Sequence, residues 1–278
     1  MKTAIVDNLK LDCRALFSVN GSTAVVTAAT GKLGRIHAEA LASRGANLAI
    51  CARNPQRLQE LSRNLIKKYG VKVFWRSVDI TSEREVNRFF REVYGKFKRI
   101  DILVNNAAIL GSSLIREGKR FKAFDTSEEL WRKIIEGNLS SAFIVSKIAA
   151  KYMRRQGYGK IINVSSVYGL FIDNISSIPL AAYDTSNGSL HTLTRELAVE
   201  LAPYRICVNA IAPTYISIGA KGQKYKRIFE HWKRQTPMKR LGKAEDLKGA
   251  IIFLSAPASD FITGAIIAVD GGWAARGS

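Results

Sequence analysis

From residue 23 to residue 270 the sequence alternates between two kinds of segment. Short apolar runs rich in β-branched residues are separated by longer segments of helical period. Strand candidates fall at residues 23–29, 47–52, 71–79, 101–107, 160–166, 205–212 and 265–270. Helical patterns fill residues 32–44, 55–69, 83–97, 127–155, 181–201 and 244–254. The strand runs are nearly continuous, as in Ile161, Ile162 and Val164 or Ile206, Val208 and Ile211. A strand that is apolar on both sides must be covered on both sides. Strand–helix alternation then predicts an α/β architecture, with one parallel, doubly wound sheet and right-handed crossovers. No linker, repeat or low-complexity segment divides the chain, so residues 17–278 read as one domain behind an extension over residues 1–16.

Composition narrows the function classes. No apolar stretch reaches the roughly 18 residues of a membrane span. Residues 1–16 mix Asp7, Lys10, Asp12 and Arg14 and lack the apolar core of a signal peptide. Cys13, Cys51 and Cys207 are odd in number and far apart, which argues against a disulfide framework or a zinc site and fits a reducing cytoplasm. His37, His191 and His231 have no metal-ligand spacing. The net charge of +20 raises the question of nucleic acid. The basic residues are scattered, however, with no zinc finger, RNA-recognition signature or aromatic-interleaved basic stripe, so the charge reads as surface composition or as attraction for an anionic small substrate.

In sheets of this kind ligands sit beyond the carboxyl ends of the strands. Candidate site residues should therefore follow Thr27, Ala52, Asp79, Asn105, Ser165 and Asn209. The first strand runs into Thr27-Ala-Ala-Thr-Gly-Lys-Leu-Gly34 and then a helix. Gly31 and Gly34 permit a tight turn and a close approach of backbone to a pyrophosphate, with a helix N-terminus behind it. Ala28 stands where the first glycine of the usual fingerprint falls.

Further motifs follow in order: Asp79-Ile-Thr81, Asn105-Asn-Ala-Ala108, Asn138-Leu139, Ile162-Asn-Val-Ser-Ser-Val167, Tyr183-Asp-Thr-Ser186, Val208-Asn-Ala-Ile-Ala-Pro213 and Asp270-Gly-Gly-Trp273. With the glycine turn they make residues 17–273 resemble the short-chain dehydrogenase/reductase family almost end to end. The resemblance implies a Rossmann-type sheet of about seven strands in the order 3-2-1-4-5-6-7. It also implies hydride exchange between a nicotinamide dinucleotide and a small carbonyl or alcohol substrate. The dinucleotide residues it implies are Thr27, Thr30, Gly31, Lys32, Leu33 and Gly34 in the turn, Arg53 after the second strand, and Asp79 and Ile80 after the third. Asn106, Ala107 and Ala108 follow the fourth strand, Pro213 and Ile216 the sixth, and Asn187 completes the set. Arg53 stands where members that prefer NAD commonly carry an acidic residue. A guanidinium there can bind a 2′-phosphate, so NADP(H) is favoured, with NAD(H) the alternative.

For the chemistry, the resemblance makes Tyr183 the general acid/base, Ser166 the orienting hydroxyl and Asn138 the support of a proton-relay water. Here the chain departs from the family: Asn187 stands where a lysine is expected, one helical turn from Tyr183. A phenol near pKa 10 is a poor base at neutral pH without a neighbouring cation. His191 lies another turn along, at about 12 Å of helix from Tyr183, too far to stand in for the lysine, and reads as a packed or interface histidine. A slow or specialised reductase is the leading reading. The others are a dinucleotide-binding protein without dehydrogenase activity and a substitution introduced at this position.

Two stretches bordering the expected substrate cleft, residues 110–126 and 169–179, are longer than the family's usual spacing. The first carries Arg116, Lys119, Arg120 and Lys122, and the segment after Pro213 carries Lys221, Lys224, Lys226, Arg227, Lys233 and Arg234. That charge suits a sugar acid or an acyl group on a phosphorylated carrier, or else is a solvated basic face. Thr214 replaces a usual glycine and Ile218 stands near a usual threonine, which weakens the nicotinamide side of the pattern. The tail from Phe253 to Trp273 resembles the family's last strand, a region that packs across two-fold axes, so a homo-oligomer, tetramer or dimer, is implied.

Overall fold

Seven parallel strands form one sheet in the order β3-β2-β1-β4-β5-β6-β7. The computed structural model describes residues 12–109, 123–172, 180–217 and 223–276. The strands are β1 (Thr23–Val26), β2 (Asn47–Ala52), β3 (Val73–Ser77), β4 (Ile102–Asn105), β5 (Gly159–Val164), β6 (Ile206–Pro213) and β7 (Ile266–Val269). The helices are α1 (Cys13–Leu16), α2 (Lys32–Ala42), α3 (Pro55–Tyr69), α4 (Glu83–Phe97), α5 (Glu128–Ile135), α6 (Ser141–Gln156), α7 (Leu180–Leu201), α8 (Gln223–Gln235) and α9 (Ala244–Ser255). The expected α/β class and strand order are both present.

Successive residues of each central strand enter two different cores. Ala24, Val26, Leu48, Ile50, Ile102, Val104 and Ile162 pack in the core that includes Ala38 and Leu41 of α2, Leu58 and Leu61 of α3, and Ile251 of α9. Val25, Ala49, Leu103, Ile161 and Val208 enter the core that includes Phe89 and Phe90 of α4, Val145 and Met153 of α6, and Leu197 of α7. This two-residue period explains why the runs read as continuously apolar. Burial of a full aliphatic side chain contributes about 1.5–3 kcal/mol, so both helical layers are held on by the same strands.

The structure corrects several element boundaries. β1 stops at Val26 rather than at residue 29, because Ala28 takes a left-handed backbone with φ +46°. The helix expected over residues 127–155 is interrupted by a π turn at Glu136–Ser140. The interruption falls where a Cβ on Gly137 would sit 2.4 Å from the Ile109 side chain, a tertiary contact without a local signature. α8 forms in the basic segment after β6, for which no helix was expected, and α1 forms inside the stretch read as an extension. Phe17, just after α1, meets the ring of Phe253 at 6.2 Å. Residues 110–122, 173–179 and 218–222 lie outside the described residues, and with them Arg116, Lys119, Arg120, Lys122, Ile218 and Lys221.

α2 carries a buried histidine with a measurable consequence. His37 is fully buried and neither ring nitrogen has a hydrogen-bond partner. Burial lowers its pKa from 6.5 to about 3. The folded value is depressed, so the neutral ring's contribution is complete above pH 6.5 and is lost as pH falls towards 3. At about 1.4 kcal/mol per pKa unit, its full loss reaches on the order of 4–5 kcal/mol as an upper bound. In urea titrations from pH 7 to pH 4, His37→Leu is expected to lose stability less steeply than the parent. Parallel slopes would refute this.

Candidate active site

The glycine turn is held from behind by the next strand. The Thr27 amide donates to the Val104 carbonyl at 3.1 Å, and the Asn106 amide donates to the Thr27 hydroxyl at 3.0 Å. The Asn106 side chain donates to the carbonyls of Thr27 and Ala28 at 3.2 and 3.3 Å, while its Oδ1 is buried with no partner. The N-cap of α2 is Gly31, which offers no side chain, so the first-turn N–H groups have no side-chain acceptor at the cap. By contrast, α3, α4 and α5 are capped by Asn54, Ser82 and Ser127. Gly34 is indispensable sterically: a Cβ there would lie 2.4 Å from the Ala28 carbonyl oxygen and 2.8 Å from both Ala29 Cα and Asn106 Nδ2. Lys32 is exposed, and Leu33 is half-buried against the core. Thr30 accepts a hydrogen bond from Arg35 through its carbonyl at 3.4 Å.

In front of this turn lies a crevice of about 330 Å³. It is lined by Thr30 and Gly31 of the turn, Arg53, Asp79 and Ile80 beyond β2 and β3, and Ala107 and Ala108 beyond β4. Asp79 is oriented by its own turn, accepting from the Thr81 amide at 3.0 Å and hydroxyl at 2.8 Å. Arg57 also lines the crevice, a residue that the sequence reading passed over. A signal was available: Asn54 caps α3 and Pro55 sits in its first turn, which puts Arg57 in the first turn of a helix that begins just after Arg53.

The chemically interesting hydroxyls lie two strands away, beyond β5. At about 4.8 Å per strand, the ends of β1 and β5 are separated by roughly 10 Å across β4. Ser166 follows β5, and Tyr183 lies on the first turns of α7; both are buried. Burial pushes the Tyr183 phenol up, the side chains of Ser166 and Asn187 hydrogen-bond it and pull it back, and the charge of Asp184 adds to the rise. Asn187, also buried, donates to the Tyr183 carbonyl at 2.8 Å. Asn138 sits inside the π turn and accepts from the Ile109 amide at 2.6 Å. It donates to the Ile109 carbonyl at 3.3 Å and to the Ser186 hydroxyl at 3.1 Å. Ser186 in turn donates to the Tyr183 carbonyl at 2.7 Å. Asn138, Ser166, Tyr183 and Asn187 are thus brought together around α7.

Pro213 ends β6, where it pairs with Val269 of β7. Ile216 pairs with Gly242 in an isolated parallel bridge, where a Cβ on Gly242 would meet the Ile216 side chain at 2.4 Å. Among the described residues, no group of His, Cys, Asp or Glu side chains could hold a metal ion, and no helix is long and apolar enough to cross a membrane.

The family profile described as enoyl-(acyl carrier protein) reductase matches residues 28–274. The 3-oxoacyl-[acyl-carrier-protein] reductase of Aquifex aeolicus is 34% identical over 254 residues, spanning 91% of this chain and 98% of that protein. The 2-dehydro-3-deoxy-D-gluconate 5-dehydrogenase of Bacillus subtilis is 35% identical over 266 residues, spanning 94% and 97%. Among solved structures, a short-chain type dehydrogenase/reductase from Mycobacterium marinum superimposes with a TM-score of 0.83 at 30% identity, covering 94% of this chain and 99% of that one. Sheet order, glycine turn and relatives converge, and the chain belongs to the short-chain dehydrogenase/reductase family of carbonyl–alcohol oxidoreductases.

Proposed function

We propose that this protein is an NADP(H)-dependent reductase that converts a carbonyl into a secondary alcohol on a small anionic substrate. The observation that carries the reading pairs features beyond two strands of one sheet, β1 and β5, with β4 between them. After β1 comes a glycine cradle with an uncapped helix, and after β5 a serine hydroxyl that shares a hydrogen bond with the buried phenol of Tyr183. The residues fit a dinucleotide: Thr30 and Gly31 line the crevice, the N-terminus of α2 suits a pyrophosphate, and Asn106 Oδ1 is an acceptor in want of a donor. Thr27, Thr30, Gly31, Lys32, Leu33 and Gly34 would hold the pyrophosphate side. Arg53, Asp79, Ile80, Asn106, Ala107 and Ala108 would hold the adenosine, and Asn187, Pro213 and Ile216 the nicotinamide riboside. When bound, the reduced cofactor supplies a hydride.

The chain's own part is the proton. A phenol raised by burial stays protonated through neutral pH, which makes Tyr183 an acid suited to reduction. Its proton goes to the substrate oxygen, which Ser166 holds through its hydroxyl. Asn138 supports the relay water through its remaining acceptor capacity, since both of its amide hydrogens are engaged. A panel of carbonyls with NADPH tests the reading. Tyr183→Phe is expected to lose turnover by roughly 10²–10⁴-fold, and unchanged turnover would refute the assignment.

For the cofactor, Arg53 and Arg57 together offer two guanidinium groups at the adenosine end. Arg53→Ala and Arg57→Ala are each expected to weaken NADPH binding by roughly tenfold to a hundredfold, as loss of a charge-assisted hydrogen bond of about 1.5–3 kcal/mol implies. NADH affinity should stay unchanged. Fluorescence titration checks this, and tighter binding of NADH by the parent would overturn the choice.

The substrate is proposed to be a sugar acid or a 3-oxoacyl group, with a neutral sugar the less charged alternative. Support comes from the net charge of +20 and from relatives whose names specify a deoxygluconate and an acyl-carrier substrate. The same proposal takes residues 17–278 as one folding unit behind residues 1–16, working in the cytoplasm as a homo-oligomer and without nucleic acid. Val199 on the outer face of α7 and Phe261 before β7 are left 78% and fully exposed, as an oligomer contact would require. A second reading has its own observation: the position of the family's lysine is occupied by a neutral amide turned onto the Tyr183 carbonyl. That favours a dinucleotide-binding protein with weakened chemistry and a binding or regulatory role.

A further inference from the structure

Directly beneath the reacting hydroxyls lies a serine–histidine contact that the proposed chemistry does not use. Ser165, the residue before Ser166, places its Oγ 2.7 Å from His191 Nε2 and 2.9 Å from the Ile211 carbonyl oxygen. The Ser165 amide also reaches the Ile211 carbonyl at 2.9 Å, so the serine is anchored on β6. His191 lies on α7, two turns beyond Tyr183, and both Ser165 and His191 are buried. On its other side the ring meets Gly169, whose carbonyl hydrogen-bonds it. A Cβ on Gly169 would lie 2.7 Å from His191 Cε1 and from the Asn187 carbonyl carbon, and 2.8 Å from the Gly188 nitrogen. The Gly169 amide closes the loop by donating to the Ser166 carbonyl at 2.9 Å.

We propose that His191 is a positioning residue: gripped by Ser165 at one end and Gly169 at the other, it holds the segment that carries Ser166 against Tyr183. The inference rests on the Tyr183–Ser166 reading of the site. Ser166 and Tyr183 sit on separate elements, a strand end and a helix. A hydrogen bond between their hydroxyls demands that those elements stay fixed to within a few tenths of an ångström. Main-chain contact at Gly169 brings the two together, and the imidazole between hydroxyl and carbonyl sets their register. A neutral imidazole suits the task because one nitrogen donates while the other accepts.

The test reads the Tyr183 phenol itself, by ultraviolet difference titration of phenolate against Tyr183→Phe, with no nucleotide or substrate present. His191→Leu keeps the bulk and removes both polar contacts. Ser165→Ala removes the opposing hydroxyl alone. In each, Tyr183 is expected to titrate roughly one unit higher than in the parent, because Ser166 no longer supports the phenolate. The double variant should shift no further than either single one. His191→Gln, whose amide reaches the same hydroxyl, should titrate close to the parent. An unshifted Tyr183 in Ser165→Ala, or equal shifts in His191→Gln and His191→Leu, would overturn the proposal. If His191→Leu does not fold, Ser165→Ala decides alone. Because this titration needs no turnover, it fails or succeeds apart from the reductase assignment.

Discussion

Asn187→Lys is expected to raise alcohol oxidation by roughly a hundredfold at pH 8, and carbonyl reduction by about tenfold or less. Oxidation needs the phenolate of Tyr183, whereas reduction needs the phenol. Burial raises the phenol in the parent, and the Asn187 amide that helps to lower it carries no charge. A unit cation about 4 Å away at an effective dielectric near 20 would add on the order of 4 kcal/mol of preference for phenolate. That equals about three pKa units, an upper bound reduced in practice by solvent and imperfect geometry. The sign fixes the pH dependence too. Below the phenol pKa, oxidation by the parent should climb about tenfold per pH unit, while reduction stays flat. In the lysine variant the oxidative plateau should begin at lower pH. Initial rates in both directions between pH 6 and pH 9.5 check this. Equal rates for parent and variant would show that position 187 does not limit the chemistry.

Gly34→Ala should remove dinucleotide binding, weakening it by roughly a hundredfold or more, and destabilise the fold by about 1–3 kcal/mol through overpacking. The Cβ would strike the Ala28 carbonyl oxygen, Ala29 Cα and the Asn106 amide nitrogen. Two of these are backbone, and the third is tied to two carbonyls by its own hydrogen bonds. Nothing there can swing aside as a flexible side chain would. Gly31→Ala is the control, since its Cβ meets only the Ala28 carbonyl oxygen, at 3.1 Å. It should keep stability close to the parent and lose less affinity. Calorimetric titration and thermal melting of both variants separate the cases. Parent-like NADPH affinity in Gly34→Ala would mean that the turn does not meet a nucleotide.

Much of the architecture was legible because the physics behind it is local and periodic. Continuous apolar runs such as Ile161 and Ile162 could only be strands covered on both faces, and they are. The carboxyl-end rule then located the turn at Gly31–Gly34, Arg53, Asp79 and Ser166 without coordinates. What stayed hidden depends on contacts distant in sequence. Ala28 takes a left-handed φ because β1 must turn under the Asn106 clamp, not because alanine prefers it. The π turn around Asn138 follows from Gly137 packing on Ile109, nearly thirty residues earlier. α8 alternates charges with aromatics over a segment read through family likeness, and its helical period was overlooked. His191, read as a packed histidine, is buried as packing would have it, but its Ser165 partner is visible only once β5 and α7 are set side by side.

We propose that the turn ending at Gly34 and the Tyr183 hydroxyl border one crevice that accepts a nicotinamide dinucleotide. A crystal structure of the protein grown with NADPH decides the matter. The expected result places the 2′-phosphate on Arg53 and Arg57, the pyrophosphate against Gly31–Gly34, and the nicotinamide ring within reach of Tyr183 and Ser166. Nucleotide bound elsewhere, or a Tyr183 hydroxyl pointing away from the ring, would contradict it.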